Sequence, residues 1–144
     1  MGQRTLLVLS LTVLVVVLVG TACASATATQ DLHLASASSL PPNVRNAPLR
    51  VREAYQFAAA NPDALKNVPC YCGCNAIGHT SNYSCYVHGA NPDGSLVFDD
   101  HALGCSICVD IAQDVMRLTR AGKQPSEIRQ FVISTYSKFG PANQ

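Results

Sequence analysis

The sequence concentrates cysteine in one short stretch. Six of the seven cysteines in this 144-residue chain lie there, at Cys70, Cys72, Cys74, Cys85, Cys105 and Cys108. Thiolate sulfur is the ligand that soft ions such as Cu(I) prefer, and it also binds zinc and iron–sulfur clusters. His79 and His101 lie among these cysteines, and neutral imidazole suits zinc and copper. The pattern therefore predicts a metal site built from the six cysteines, with His79 and His101 as further candidate ligands.

The spacing of the cysteines indicates how they would meet. Residues 69–74 read Pro-Cys-Tyr-Cys-Gly-Cys, and Gly73 lets the chain curl so that all three sulfurs converge. Cys105 and Cys108 have the i, i+3 spacing that puts two side chains on one helical face. If a helix begins at Gly104 or Cys105, its N-terminal dipole lowers the pKa of these thiols. Both groups are thus predicted to supply thiolates.

The number of sulfurs bears on the choice of metal. Six sulfurs exceed the four ligands of a tetrahedral zinc site. The surplus fits bridging thiolates in a Cu(I) cluster, or a four-ligand zinc site with spare groups. Copper, as Cu(I), is the favoured metal and zinc is the alternative. His88 is a weaker candidate ligand, and Met116 is interpreted as a core residue of a helix.

Two other uses of the cysteines stay open. Under oxidising conditions, six cysteines can form three disulfides, although neighbours in Cys-x-Cys-x-Cys are poorly placed to bridge one another. Cys105 and Cys108 also form a Cys-x-x-Cys pair of the redox-active kind, but the strand–helix alternation of a thioredoxin-like domain is missing. The sequence shows no Ser/His/Asp set, phosphate-binding loop or paired carboxylates. We therefore expect no enzyme.

The N-terminus has the order of regions found in a secretory signal. Arg4 supplies a positive charge, residues 6–19 are almost wholly apolar, and small residues follow. The apolar run is short for a spanning helix, which needs about 20 residues, although an uncleaved anchor stays open. We predict a signal segment over residues 1–22 and an exported protein.

Cys23 has the position of the lipid-modified cysteine of a bacterial lipoprotein. Residues 19–23 read Val-Gly-Thr-Ala-Cys and resemble a lipobox, with Gly20 departing from the usual Leu or Val. Lipidation of Cys23 would anchor the protein to the outer face of the cytoplasmic membrane. Cleavage after Ala24, Ala26 or Ala28 would instead release a secreted protein.

The elements that must position the cysteines are mostly helical. Residues 23–46, rich in Ser, Ala, Thr and Pro, predict a flexible tether, and residues 47–141 predict one cysteine-rich helical metal-binding domain. Helices are predicted over residues 49–60, 62–67, 105–121 and from 124 to about 139, the last two forming an antiparallel hairpin. Residues 70–99 predict an irregular loop with a brief strand at residues 96–98. Residues 99–100 predict a solvated turn, although Asp99 and Asp100 could instead join His101 in a hard-ligand site. The fold class is a small, mostly α domain.

Residues 69–74 resemble the name-giving motif of the PCYCGC-motif family of exported bacterial proteins and lipoproteins. The resemblance extends from about residue 54 to 136 and includes His79, Cys85, His101 and the Cys105–Cys108 pair. It implies export and a shared set of cysteines, and it suggests the handling of heavy metals.

The sequence as a whole thus favours an exported heavy-metal-binding protein that acts as a copper buffer or chaperone. The alternative is a disulfide- or zinc-stapled interaction module of the cell envelope. The expected partners are a metal ion, the membrane through a lipid on Cys23, and an envelope protein of unknown identity. Ten basic and nine acidic residues leave no basic field for nucleic acid.

Overall fold

The computed structural model describes residues 31–144. The predicted signal segment, residues 1–22, lies outside the described residues, as do Cys23 and the first part of the predicted tether. In the described part of the chain, no helix combines the length and the apolar character needed to cross a membrane.

Helices make up most of the described chain. They are α1 (Pro42–Arg45), α2 (Leu49–Ala60), α3 (Pro62–Lys66), α4 (His101–Gly104), α5 (Ser106–Arg120) and α6 (Pro125–Tyr136). Two strands, β1 (Val87–Ala90) and β2 (Leu96–Phe98), form an antiparallel hairpin. Short 3-10 helices lie at Ala37–Ser39, Cys74–Ile77, Tyr83–Cys85 and Ser137–Phe139. The predicted class, a small and mostly α domain, is confirmed.

Helices α5 and α6 form the predicted hairpin over an apolar core. Gly122, with a φ of 71°, lets the chain leave α5 in a left-handed turn. The backbone N–H of Gln124 donates to the Glu127 carboxylate over 2.9 Å, and Pro125 begins α6. The two helices bury their facing apolar side chains, which are Ile111, Ala112, Val115, Ile128, Val132 and Tyr136. Each large aliphatic side chain buried in this way contributes roughly 1.5–3 kcal/mol.

Helix α2 connects this core to the cysteine-rich segment. Its Tyr55 is fully buried and meets the ring of Tyr86 edge-on, with 5.0 Å between ring centroids. The Tyr55 hydroxyl also donates to the backbone carbonyl of Asp99 over 2.7 Å. The chain leading into α4 is therefore fixed to the helical core.

The cysteine-rich segment is more ordered than the predicted irregular loop. Strand β2 falls at the predicted brief strand, and β1 pairs with it through a register shift between Val87 and Gly89. A turn at residues 91–94 joins the strands, with Gly94 at a φ of 84°. Sequence patterns did not indicate strand β1, because Val-His-Gly-Ala has no polar–apolar alternation.

The folded part of the chain begins earlier than the predicted boundary at residue 47. Leu40 and Val44 are 3% and 0% exposed, so the second half of the predicted tether, residues 23–46, packs against the core. Pro41-Pro42 begins helix α1 instead of ending a linker, because proline suits the first helical position. Gln56 on α2 holds this segment, since its side-chain amide donates to the Ala35 carbonyl over 2.7 Å.

The folded part also continues past the predicted end at residue 141. Asn143 is only 8% exposed and is hydrogen-bonded to the cysteine-rich segment. Sequence patterns did not indicate this docking, because a single polar residue beyond a helix-ending Gly-Pro carries no periodic signal.

Candidate metal centre

The backbone of residues 69–74 turns sharply after its second cysteine. Gly73 has a φ of 81°, a left-handed conformation that glycine adopts without strain. The 3-10 helix Cys74–Ile77 follows and ends at Gly78, whose φ is 87°. The curl expected at Gly73 is therefore present, and it brings the three sulfurs of this segment and that of Cys85 within 4.8 Å of one another.

Three sulfurs from two distant segments form a nearly equilateral triangle. The Sγ of Cys70 lies 3.4 Å from that of Cys72 and 3.4 Å from that of Cys108, and the third side is 3.5 Å. A disulfide bond is about 2.05 Å long, so none of these pairs is bonded. All six cysteines between residues 70 and 108 are free thiols in the described chain.

The start of α5 supplies Cys108 to this triangle and places Cys105 beside it. Cys105 is the N-cap residue of α5, and its Sγ lies 3.1 Å from the Sγ of Cys108. The backbone carbonyl of Cys108 accepts from the Tyr86 hydroxyl over 2.7 Å and from the Asn82 side-chain amide over 3.2 Å. These two buried hydrogen bonds fix the first turn of α5 relative to the cysteine-rich segment.

The remaining two cysteines form a separate buried pair. The Sγ atoms of Cys74 and Cys85 lie 3.8 Å apart. Asn143 donates from its side-chain amide to the Sγ of Cys74 over 3.4 Å, and Cys85 donates to the Ser81 carbonyl over 3.9 Å. A hydrogen bond from an amide stabilises sulfur in its thiolate form.

Two histidines face these sulfurs. The Nε2 of His101 lies 3.5 Å from the Sγ of Cys72, and the His101 ring meets that of His79 edge-on at 5.1 Å. His79 is 6% exposed, and its Nε2 lies 3.4 Å from a carboxylate oxygen of Asp99. Its other nitrogen, Nδ1, is buried without a hydrogen-bond partner in the described residues.

The structure thus brings together the six cysteines, His79 and His101. Their ligand atoms fall into three overlapping groups of four, and within each group all atoms lie within 4.8 Å of one another. The groups are Cys70, Cys72, Cys74 and Cys85; Cys72, His101, Cys105 and Cys108; and Cys74, His79, Cys85 and His101. His88 belongs to none of them and is exposed on β1, while Met116 is a buried core residue. Six sulfurs and two imidazoles at this spacing can hold a metal ion.

Comparison with known proteins identifies the family. The family described as proteins of unknown function with a PCYCGC motif matches residues 15–143. This chain belongs to the PCYCGC family. No curated protein and no solved structure matched it. The name-giving motif of the family is the segment that supplies Cys70, Cys72 and Cys74 to the cluster.

The thiols of this PCYCGC-family chain differ widely in acidity. Hydrogen bonding from Cys108 lowers the pKa of Cys105 to about 5 and that of Cys70 to about 2. The pKa of Cys108 is raised, because its thiol donates to Cys105 and Cys70. Burial raises the pKa of Cys72 and of Cys74. The lowered pKa predicted for the two thiols at the start of α5 is therefore found for Cys105 and not for Cys108, and its main cause is the neighbouring thiol rather than the helix dipole.

Four residues around the PCYCGC motif escaped prediction as parts of the site. Asp99 lies beside His79, Tyr86 and Asn82 bind the carbonyl of Cys108, and Asn143 binds Cys74. Asp99 falls in the predicted solvated turn, and its place two residues before His101 was the one available signal. The others lie far along the chain from the groups they contact, and no local spacing links them.

Proposed function

We propose that this protein binds heavy-metal ions, Cu(I) above all, and acts as a buffer or chaperone outside the cytoplasmic membrane, not as an enzyme. The observation that carries the proposal is the triangle of Cys70, Cys72 and Cys108, with sides of 3.4, 3.4 and 3.5 Å. Three evenly spaced thiolates suit a three-coordinate soft ion, whereas zinc favours four tetrahedral ligands.

The exposure of the sulfurs supports a role in exchange. Cys70 and Cys108 are buried, while Cys72 and Cys105 are partly exposed. Buried thiolates retain an ion, and partly exposed ones let an incoming ligand replace them one at a time. An ion held in this way is protected from water yet transferable to another thiolate protein.

A direct measurement of Cu(I) binding tests the proposal. The full chain, purified in detergent under anaerobic reducing conditions, would be titrated with Cu(I) against a coloured Cu(I) chelator, and separately with zinc. We expect tight Cu(I) binding that is lost in Cys70→Ser and Cys108→Ser and retained in His88→Gln, which changes an exposed histidine outside the cluster. Displacement of bound Cu(I) by zinc in the unaltered chain would refute the choice of copper.

The proposed location depends on the N-terminal sequence. Export follows from the signal-like residues 1–22, and anchoring follows from lipidation of Cys23. Cells that express the full chain and are fed a labelled fatty acid should incorporate the label into this protein. The label should disappear in Cys23→Ala while export continues. A secreted protein without the label would contradict the lipoprotein and support the plain secretory form.

A second candidate function is favoured by the position of Cys74 and Cys85. Both are buried between the motif, the C-terminal tail and the 3-10 helix Tyr83–Cys85, where a bound zinc would staple the segment. On this reading the protein is a structural interaction module of the envelope. It predicts that metal removal unfolds the domain and that copper has no special affinity, so the same titrations separate the two functions.

A further inference from the structure

The eight donors divide into two sets of four without sharing a residue. One set is the mixed group Cys74, His79, Cys85 and His101, whose ligand atoms lie within 4.8 Å of one another. Removing it leaves Cys70, Cys72, Cys105 and Cys108, whose sulfurs are linked by contacts of 3.1 to 3.5 Å. Every donor in the cluster is then used once.

The sulfur spacing within the mixed set fits a tetrahedral metal. Two sulfurs bound to one tetrahedral zinc, at about 2.3 Å each, lie about 3.8 Å apart. The Sγ atoms of Cys74 and Cys85 are separated by 3.8 Å, whereas every contact in the all-sulfur set is shorter. The Cys74–Cys85 pair therefore has the spacing of two thiolates on one tetrahedral zinc, with two imidazoles close enough to complete a Cys2His2 set.

One ring nitrogen of His79 has a carboxylate partner and the other has none among the described residues. Its Nε2 faces the Asp99 carboxylate at 3.4 Å, and its Nδ1 is buried with no partner in the described chain. A carboxylate beside one ring nitrogen favours the tautomer that leaves the other nitrogen free to bind a metal. Buried polar atoms are nearly always paired, so the unpaired Nδ1 among these cysteines is a candidate to bind an ion.

Asp99 is itself held in place by the helical core. Its backbone carbonyl accepts from the Tyr55 hydroxyl over 2.7 Å, and its carboxylate also accepts from the backbone N–H of His101 over 2.7 Å. One residue thus positions both histidines of the set, contacting the ring of His79 and the backbone of His101.

We propose that a second metal ion, zinc by its donor chemistry, binds Cys74, His79 through Nδ1, Cys85 and His101, with Asp99 as the residue that positions His79. This site deepens the zinc suggested above at Cys74 and Cys85 by adding His79, His101 and Asp99, and it does not depend on Cu(I) binding by the all-sulfur set. It lets a fixed zinc order residues 74–101 while the all-sulfur set exchanges Cu(I).

Cobalt(II) is the probe for this site, because its visible spectrum reports tetrahedral geometry and thiolate ligation. The full chain in detergent, first loaded with Cu(I), would be titrated with Co(II). We expect one Co(II) with the spectrum of a tetrahedral site containing two thiolates, displaced by one equivalent of zinc. The absence of such a spectrum, with Cu(I) still bound, would overturn the second site and leave the proposed function standing.

Two variants and a matched control sharpen the test. His79→Gln should abolish tetrahedral Co(II) binding and keep Cu(I) binding, while His88→Gln should keep both. Asp99→Asn should weaken Co(II) affinity about 10- to 100-fold and leave Cu(I) affinity unchanged. Unchanged Co(II) affinity in both His79→Gln and Asp99→Asn would overturn the second site. A loss of Cu(I) binding in parallel with the loss of Co(II) binding would also overturn it. If circular dichroism shows that His79→Gln does not fold, the Co(II) affinity of the near-isosteric Asp99→Asn decides whether the second site exists.

Discussion

Asn143 and Cys70 are joined by two hydrogen bonds that pair the C-terminal tail with the cysteine motif. The backbone N–H of Cys70 donates to the side-chain oxygen of Asn143 over 2.6 Å, and the backbone N–H of Asn143 donates to the Cys70 carbonyl over 3.1 Å. The side-chain amide of Asn143 then reaches Cys74 and the Ser81 carbonyl. One residue therefore connects the motif, the tail and the segment that carries Cys85.

Replacing Asn143 tests the importance of this connection. Asn143→Ala leaves the buried N–H of Cys70 without its acceptor, and an unsatisfied buried donor costs about 1–3 kcal/mol. We expect the free energy of unfolding in urea to fall by about that amount. Asn75→Ala, an exposed asparagine in the neighbouring 3-10 helix, serves as the control and should change little. Equal effects of the two substitutions would contradict this account of the tail.

Cys105 should be the first thiol to react with an alkylating agent. Its pKa is lowered to about 5 and it is partly exposed, whereas the more acidic Cys70 is buried. At about pH 6.5 Cys105 is therefore mostly thiolate, while an ordinary thiol with a pKa of about 8.5 is almost wholly protonated.

Iodoacetamide labelling of the metal-free protein, mapped by mass spectrometry, measures this order. We expect Cys105 to be labelled about tenfold faster than Cys72, which is also partly exposed but has a raised pKa. The Cys105 rate should fall as the pH drops through about 5. A rate that falls already near the ordinary thiol pKa of about 8.5 would show an unperturbed group.

Metal binding should release protons and weaken as the pH falls. The pKa of Cys108 is raised, so this thiol keeps its proton at neutral pH and the metal must displace it. For each proton released, one pH unit of acidification should weaken apparent affinity about tenfold. Chelator competition at two pH values and proton release in weak buffer measure the effect. Affinity independent of pH would mean that the ligands are already ionised.

Gly73 should be sensitive to substitution for a purely conformational reason. A Cβ built on Gly73 meets no atom within 4 Å, so Gly73→Ala costs only the strain of a φ of 81°. We expect a loss of stability of about 1–2 kcal/mol, with Gly73→Asn less affected because asparagine tolerates this conformation better. The control is Gly89→Ala, which is equally open but has no positive φ. Metal affinity should fall in Gly73→Ala and stay unchanged in Gly89→Ala.

Removing the metal should loosen the cysteine-rich segment before the helical core. The donors join residues 70–108, while α5 and α6 are held together by apolar burial that needs no ion. Hydrogen exchange after chelation should therefore accelerate most in residues 74–101 and least in the buried face of α5. Uniform acceleration throughout the domain would favour the stapled-module alternative.

The sequence predicted the helices whose apolar residues recur with helical periodicity. Helix α2 begins and ends at the predicted residues, and α5 differs from its prediction by one residue at each end. The amphipathic spacing of Ile111 and Val115 is a local signal, so it can be read without the fold. The six cysteines were likewise predicted as one cluster from their types and spacing.

What the sequence did not reveal depends on contacts between distant residues. Asn143 meets Cys74 across 69 positions, and no local pattern links two such residues. Leu40 and Val44 lie in a stretch whose Ser, Ala and Pro content is typical of a tether, and only their burial shows that they pack. The division of the donors into an all-sulfur set and a mixed set also depends on side-chain positions in three dimensions.

The hydrogen bond from Tyr86 to the carbonyl of Cys108 makes the fluorescence of this tyrosine sensitive to the metal cluster. The sequence has no tryptophan, so ultraviolet emission comes from its five tyrosines. Tyr86 is fully buried, and its hydroxyl lies 2.7 Å from the backbone of a cysteine in the cluster. Arrival of an ion at that cysteine should therefore alter the intrinsic fluorescence, so that occupancy can be followed without a dye or a label.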